Sequence, residues 1–406
     1  MKPPSATENK GRKNHTDLWY YLKFFIVWKI LLLCVVFVSF FASFRHWGDH
    51  TVFTFFTHHT PNHLSELTNS WANFDGIHYL TIAGEGYSNQ ARFMPFYPIL
   101  ISILNRAVNA NTYSSTQLLT AQLISNSAMI LSLIFLYKLL ILDHSKKTAQ
   151  KSILYLALFP SAFFLSAVYS ESTFLLLTVL AFYFARQKQW GKVGLVTALS
   201  LITRLTGLAT LTAVTFEFIY QNKHHFLAKI SLKQKFNKIK HFWSLLLTPI
   251  PLIIYSYYNH LKWGSWLYFI QAHGELGNSR STGTLIFPLQ TIYRYIKIFL
   301  SLSPKQYELW LSWIELGVFI FAVWLTFIAW KKKIRPSYLV FTITALLIPS
   351  FSGTFSGLPR YILVIFPLFL ALALIKNRTV HYLYLVITIP LLILFLTLFS
   401  KGYFIA

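Results

Sequence analysis

The sequence predicts an all-α integral membrane protein, a polytopic bundle of about eleven transmembrane helices. Hydrophobic residues make up 55% of the 406 residues and charged ones only 12%, with mean hydropathy +0.51. An ordinary soluble domain carries about 25% charged residues. Runs with at most one charged residue recur at 107–137, 152–169, 309–330 and 380–400, and about 20 apolar residues let a helix cross the hydrocarbon layer. The basic residues gather in short segments between those runs, the pattern that holds cationic loops on the cytoplasmic side.

That pattern also accounts for the net charge of +24, from 36 Lys and Arg against 12 acids. In a soluble chain such a balance points to nucleic acid. Here orientation during insertion and attraction to anionic headgroups suffice, so membrane lipids are expected partners and nucleic acid is not. Cys34 is the single cysteine, which excludes a disulfide within the chain.

In order along the chain, residues 1–19 read as a disordered, basic cytoplasmic tail, and residues 20–406 as one transmembrane domain. The first span covers 24–44, with Lys23 and Lys29 near its inner end and able to snorkel. It is too long for a signal-peptide core and reads as an anchor. Residues 45–105 form a large first extracytoplasmic loop carrying surface helices. Within it, 93–104 is short and interrupted by Pro95 and Pro98, which suggests a re-entrant or surface-lying segment.

Spans two, three and four are 116–142, 152–169 and 172–185, separated by the inner loop Asp143 to Lys147 and an outer turn at Ser170-Glu171. Residues 193–203 and 205–219 read as a broken pair around Arg204, since one continuous helix would carry the lysine-rich loop 222–241 to the outside. Span seven, 242–258, leads to a second outer loop, 259–307. Span eight, 309–330, stops at Lys331-Lys332-Lys333, and spans 338–349, 361–374 and 380–400 complete the bundle. This path places Asp75, Glu171, Arg204, His273 and Arg360 on one outer face. No repeat of 20–50 residues and no inverted internal symmetry is visible.

The chemistry concentrates between residues 71 and 100, beside Trp71, His78 and Tyr79. A carboxylate at the mouth of a membrane cavity can take the proton of an attacking alcohol, which makes Asp75 the candidate base. The alternative is that Asp75 caps a helix beginning near Gly76. Arg360, followed by Tyr361, offers a planar fork for phosphate oxygens, or it snorkels to the headgroups. Arg204 and Glu171 either brace the broken helices as an ion pair or touch substrate. His58, His59 and His63 lie in a polar loop without nearby Cys or spaced acids, so no metal is expected. A P-loop, GxGxxG and DxD are all lacking, so no nucleotide site is expected.

Taken together, the motifs resemble the PIG-V family, integral-membrane mannosyltransferases related to GPI mannosyltransferase II and their prokaryotic relatives. The resemblance rests on five blocks in order: Trp71-x3-Asp75-x2-His78-Tyr79 with Gly86-Tyr87; Phe93-x-Pro95-Phe96-Tyr97-Pro98; Phe159-Pro160 through Tyr169-Ser170-Glu171-Ser172; Thr203-Arg204-x2-Gly207; and Arg360-Tyr361 with Phe366-Pro367. Phe74 departs from the family, which often carries a second Trp before the acid.

The resemblance implies a GT-C fold whose first-loop acid is the catalytic base. It also implies a polyprenyl-phosphate-linked hexose, typically mannose, as donor, and no cofactor. Carried over, Asp75 deprotonates an acceptor hydroxyl and the anomeric carbon inverts. Arg360, with Arg204, holds the departing phosphate, and Trp71, His78 and Tyr79 shape the sugar pocket. The acceptor is a glycan, lipid or protein. The Lys-, Asn- and Phe-rich composition points to a bacterial cell membrane; in a eukaryote it would be the endoplasmic reticulum. The competing readings are a transporter or flippase of lipid-linked sugars, which would call for repeat symmetry and an inner polar site, and a scaffold, which would leave Asp75 and Arg360 unexplained.

Overall fold

The computed structural model describes residues 6–39, 41, 67–227, 242–274 and 286–405. His58, His59, His63 and most of the 222–241 loop lie outside the described residues. So do 42–66 of the first outer loop and 275–285 of the second. Among the described residues every regular element is a helix, as a bilayer requires of a chain without a closed barrel.

The helices are α1 (Ala6–Ser39), α2 (Asp75–Glu85), α3 (Phe96–Ala107), α4 (Ser115–Leu140), α5 (Lys146–Ala157), α6 (Glu171–Arg186), α7 (Trp190–Leu201) and α8 (Gly207–Leu227). There follow α9 (Trp243–Leu246), α10 (Ile250–Trp263), α11 (Tyr268–Gln271), α12 (Pro288–Ser301), α13 (Tyr307–Lys331), α14 (Pro336–Ser350), α15 (Leu358–Tyr361), α16 (Phe366–Ala373) and α17 (Arg378–Ser400). α1 starts inside the stretch for which a disordered tail is expected.

Among the described residues four helical stretches are by themselves long and apolar enough to cross a membrane: Trp19–Ser39, Ser115–Leu140, Tyr307–Lys331 and Arg378–Ser400. The other expected spans are shorter or interrupted helices. The first of the four shows how side-chain spacing orients a helix in lipid. Tyr21, Phe25, Trp28, Leu32 and Val36, three or four residues apart, are buried, while Ile26, Val27, Ile30, Leu31, Phe37 and Val38 are exposed. Between helices in lipid the selection is by packing and hydrogen bonding rather than by escape from water. Trp28 Nε1 accordingly donates to Ala157 O at 2.8 Å, and the hydroxyls of Ser39 and Ser400 meet at 2.8 Å. Lys29 sits between the two faces and does not snorkel to the inner surface. Its Nζ turns inward to Ser166 Oγ at 2.7 Å.

Two expected spans are broken where proline demands it. The helix expected over 152–169 begins earlier, at Lys146, and ends at Ala157, just before Phe159-Pro160. Pro160 has no N–H to continue the ladder. The chain then turns through a 3-10 helix, Ala162–Leu165, and enters α6 at Glu171. The expected span 361–374 is likewise divided into α15, a 3-10 turn Ile362–Val364 and α16, with Pro367 in the first turn of α16. Residues 159–175 and 362–373 are buried throughout, the condition under which irregular backbone is tolerated at membrane depth. α7 and α8 form the expected broken pair, interrupted at 202–206 around Arg204.

The two ends of the bundle differ in charge. At one end Asp143 pairs with Arg186 and Glu217 with Arg335, beside the lysine clusters at 146–147 and 331–333. Asp75, Glu171, Arg204 and Arg360 meet at the other.

Candidate active site

The site starts from a turn. A 3-10 helix, Ser70–Ala72, leads into Asn73 and Phe74, and α2 begins at Asp75. Gly76 N donates to Asn73 O at 3.4 Å, and Phe74 has φ 59°, ψ −116°. These are the angles of the first central residue of a type II′ turn, a place that normally takes glycine. A bulky residue stays there only if its surroundings fix it. Phe74 packs on Phe399 and Phe404, and Asn73 Nδ2 donates to Phe399 O at 2.9 Å. Tyr169 OH donates to Asn73 O at 2.8 Å, and Val168 N to Trp71 O at 2.9 Å. Gly76 permits this approach, because a Cβ there would meet Ala72 Cβ and Val168 O at 3.3 Å.

The turn aims the Asp75 carboxylate away from its own helix. It makes no capping hydrogen bond, and Phe74 occupies the N-cap position, so the capping role is not what the fold uses. Instead Asp75 Oδ2 accepts from Arg360 Nη1 at 2.5 Å, and Oδ1 lies 3.9 Å from Arg92 Nη2. Glu171 Oε1 receives Arg204 Nη1 and lies 3.1 Å from Arg360 Nε. That second contact is an ion pair by distance without the aim of a hydrogen bond. Arg360 thus bridges the two carboxylates, and Glu171 bridges the two arginines, so the ion-pair brace weighed for Arg204 and Glu171 is present. Tyr361 lies 5.0 Å from the Arg204 guanidinium and 5.7 Å from that of Arg360. Tyr79 OH meets Ser170 Oγ at 2.9 Å, and Arg204 Nη1 reaches the same hydroxyl at 3.4 Å.

Exposure orders the cluster. The Glu171 side chain is 1% accessible, Arg204 and Arg360 11%, Arg92 13% and Asp75 19%. Asp75 is the most exposed member of the network. Burial alone would raise its pKa, but the charges of Arg360, Arg92 and His78 outweigh that and hold it well below the usual carboxylate range. His78, one turn along α2 and stacked on Phe93 at 4.9 Å, is pushed down to about 4, mainly by burial. Trp71 is buried, its ring covered by Lys29 Nζ at 3.4 Å.

An apolar cleft of about 390 Å³ lies between α3, α4 and α6. It is lined by Phe96, Leu104, Leu123, Leu131, Thr173 and Leu177, among others. Phe96 N donates to Ile202 O at 2.9 Å, tying this edge to the break that carries Arg204. Among the described residues no group of three His, Cys, Asp or Glu side chains is arranged to hold a metal.

The structure therefore joins Asp75, Glu171, Arg204, Arg360 and Tyr361 in one network, with Tyr79 attached through Ser170 and His78 alongside. Sequence reasoning missed Arg92, Asn73 and Ser170. Arg92 left a signal: a cation in an outer loop otherwise poor in them runs against the positive-inside trend and calls for a local anion. Asn73 and Ser170 act through hydrogen bonds across the fold and left none.

Fold and site together define a polytopic helical membrane protein organised around a partly open charged cluster. Residues 18–298 match the family model for mannosyltransferase (PIG-V). The chain belongs to that family and is a glycosyltransferase. The match contains Asp75, His78, Tyr79, Arg92, Glu171 and Arg204, whereas Arg360 and Tyr361 lie beyond it. A comparison with curated proteins finds no match.

Proposed function

We propose that the protein is an inverting transferase that moves mannose from a polyprenyl-phosphate donor to an acceptor hydroxyl at the extracytoplasmic membrane face. The observation that carries this reading is the placement of Asp75, the most accessible group of a buried charge network, against Arg360 and within 3.9 Å of Arg92. The apolar cleft between α3, α4 and α6, tied to the break that carries Arg204 by the Phe96 N to Ile202 O hydrogen bond, offers an isoprenoid chain a lateral seat.

In this reading Asp75 accepts the proton of the acceptor hydroxyl as its oxygen bonds to the anomeric carbon. The bond from that carbon to the phosphate oxygen breaks on the opposite face, and its electron pair leaves with the polyprenyl phosphate. Arg360 stabilises the departing charge, which is where fixed donors contribute most. Before substrate binds, the same guanidinium holds the Asp75 carboxylate ionised, which makes it available as a base but a weak one. A donor phosphate drawing Arg360 toward itself loosens that hold, so donor binding raises the basicity of Asp75 when it is needed. Glu171 keeps both arginines oriented, and Tyr79 and His78 border the sugar. No nucleotide, metal or other cofactor takes part in this scheme. The membrane is that of a bacterial cell, with the basic loop ends in the cytoplasm.

The test is transfer from radiolabelled polyprenyl-phosphate mannose into a membrane extract, comparing wild type with Asp75→Asn at equal expression. Loss of a general base costs about 10²–10⁴-fold. Retained transfer by Asp75→Asn would exclude the base role.

A further inference from the structure

We propose that Lys29 is a binding residue for the phosphate of a lipid substrate, reached from the membrane side of the Asp75 turn. The inference rests on the reading that a substrate is a lipid phosphate, and it adds a residue which that reading does not use.

Lys29 lies within the membrane-length stretch Trp19–Ser39. An ammonium at such depth is expensive and is normally paired with an anion or put to functional use. Among the described residues no carboxylate lies within ion-pair distance of it. The two acids of the charge cluster are already engaged, Asp75 by Arg360 and Arg92, Glu171 by Arg204 and Arg360. What Lys29 has instead is neutral: Ser166 Oγ at 2.7 Å and the face of Trp71 at 3.4 Å. Ser166 in turn donates to Asn126 Oδ1 at 2.5 Å. An ammonium carries three donors, and these contacts leave one without a protein acceptor among the described residues.

Charge within the cluster sharpens the point. Each of Arg92, Arg204 and Arg360 already faces a carboxylate, Asp75 or Glu171, so these arginines must loosen an existing pair to hold an added phosphate. Among the described residues Lys29 has no anion to give up. It also touches the segment that leads into the Asp75 turn. The ring it covers belongs to Trp71, whose carbonyl is fixed by Val168 N, and four residues later the same turn delivers Asp75. The chemistry that fits is a lipid phosphate presented from within the bilayer, either the donor's or that of a phosphate-bearing lipid acceptor.

Trp71 provides the readout, because an anion that draws Lys29 off its ring changes its emission. The full-length protein in nanodiscs of phosphatidylcholine is titrated with a polyprenyl monophosphate, with phosphatidylglycerol, and with uncharged polyprenol. Subtracting the Trp71→Phe variant isolates that ring among the 12 tryptophans. The wild type should show a saturable Trp71 change with at least one phosphate and none with polyprenol. Lys29→Met should weaken that phosphate by about tenfold or more, the scale of a hydrogen bond to a charged group, and Lys29→Arg should restore most of it.

Loss confined to polyprenyl monophosphate assigns Lys29 to the donor, and loss confined to phosphatidylglycerol assigns it to an anionic acceptor. Unchanged affinity in Lys29→Met, with or without a lower melting temperature, overturns the proposal and leaves Lys29 a structural tether. Should Lys29→Met fail to fold, a Trp71 change in the wild type that is equal for polyprenol and the phosphates overturns it as well. Failure of the wild type to transfer mannose, with the Lys29-dependent binding intact, would remove the transferase scheme and not this site.

Discussion

Glu171→Gln isolates the charge that holds the arginines together. The substitution keeps the shape of the side chain and removes one negative charge from a position that is 1% accessible. At the 3.1 Å separation of Glu171 Oε1 and Arg360 Nε, Coulomb's law with an effective dielectric near 20 gives about 5 kcal/mol of attraction. Part of this is offset by the cost of burying the carboxylate itself. The net loss on breaking a buried pair and stranding one partner is about 3–5 kcal/mol. The stranded partner is Arg204, since Arg360 retains Asp75.

The double variant Glu171→Gln with Arg204→Gln removes the orphan charge along with its partner. It should regain most of the loss, because replacing both members of a buried pair is often nearly neutral. The assay is denaturant unfolding in a mild detergent for the wild type, both single variants and the double variant. We expect a coupling energy of about 2 kcal/mol or more between the two positions. A single-variant loss under about 1 kcal/mol, or strict additivity in the cycle, would refute the idea that Glu171 organises the cluster.

Further outcomes follow from the same geometry. Gly76→Val should cost about 1–3 kcal/mol through overpacking, since even its Cβ would press on Ala72 and Val168 O. Unfolding should show this loss, and mannose transfer should fall further than the stability change explains, because the turn aims Asp75. His78 has a folded pKa of about 4 against an ordinary 6.5. Its contribution is therefore fully present above pH 6.5 and is lost as pH falls toward 4, where the unfolded chain binds the proton first. His78→Gln should flatten the stability–pH curve in that window, and an unchanged slope would count against burial of the neutral ring. Asp75 titrates at more acidic pH still, so activity should persist down to the acid limb set by His78.

The broad class of this protein was legible without coordinates because membranes impose simple rules. Charge depletion, run length and the placement of lysines required a helical membrane protein. Prolines were the less legible signal. Pro95 and Pro98 suggest an interrupted 93–104, yet Phe96–Ala107 is one helix with both at its start. The expected continuous spans 152–169 and 361–374 are instead broken near Pro160 and Pro367. The apolar character of 158–169 reflects burial in protein rather than passage through lipid. Composition cannot separate the two, since both environments select the same side chains. Asp75, Glu171, Arg204 and Arg360 could be nominated by their cost at membrane depth.

What the tertiary structure decided is how those charges are used. The sequence left Asp75 equally suited to capping its helix, and only the strained backbone at Phe74, fixed by residues near 169 and 399, turns its carboxylate to Arg360. Likewise, nothing local to Lys29 indicated that it would face Trp71 and Ser166 instead of the bilayer surface. One-dimensional pattern records the solvent each residue must tolerate. The pairing of charges depends on contacts between residues up to 285 positions apart, which exist only once the bundle has closed.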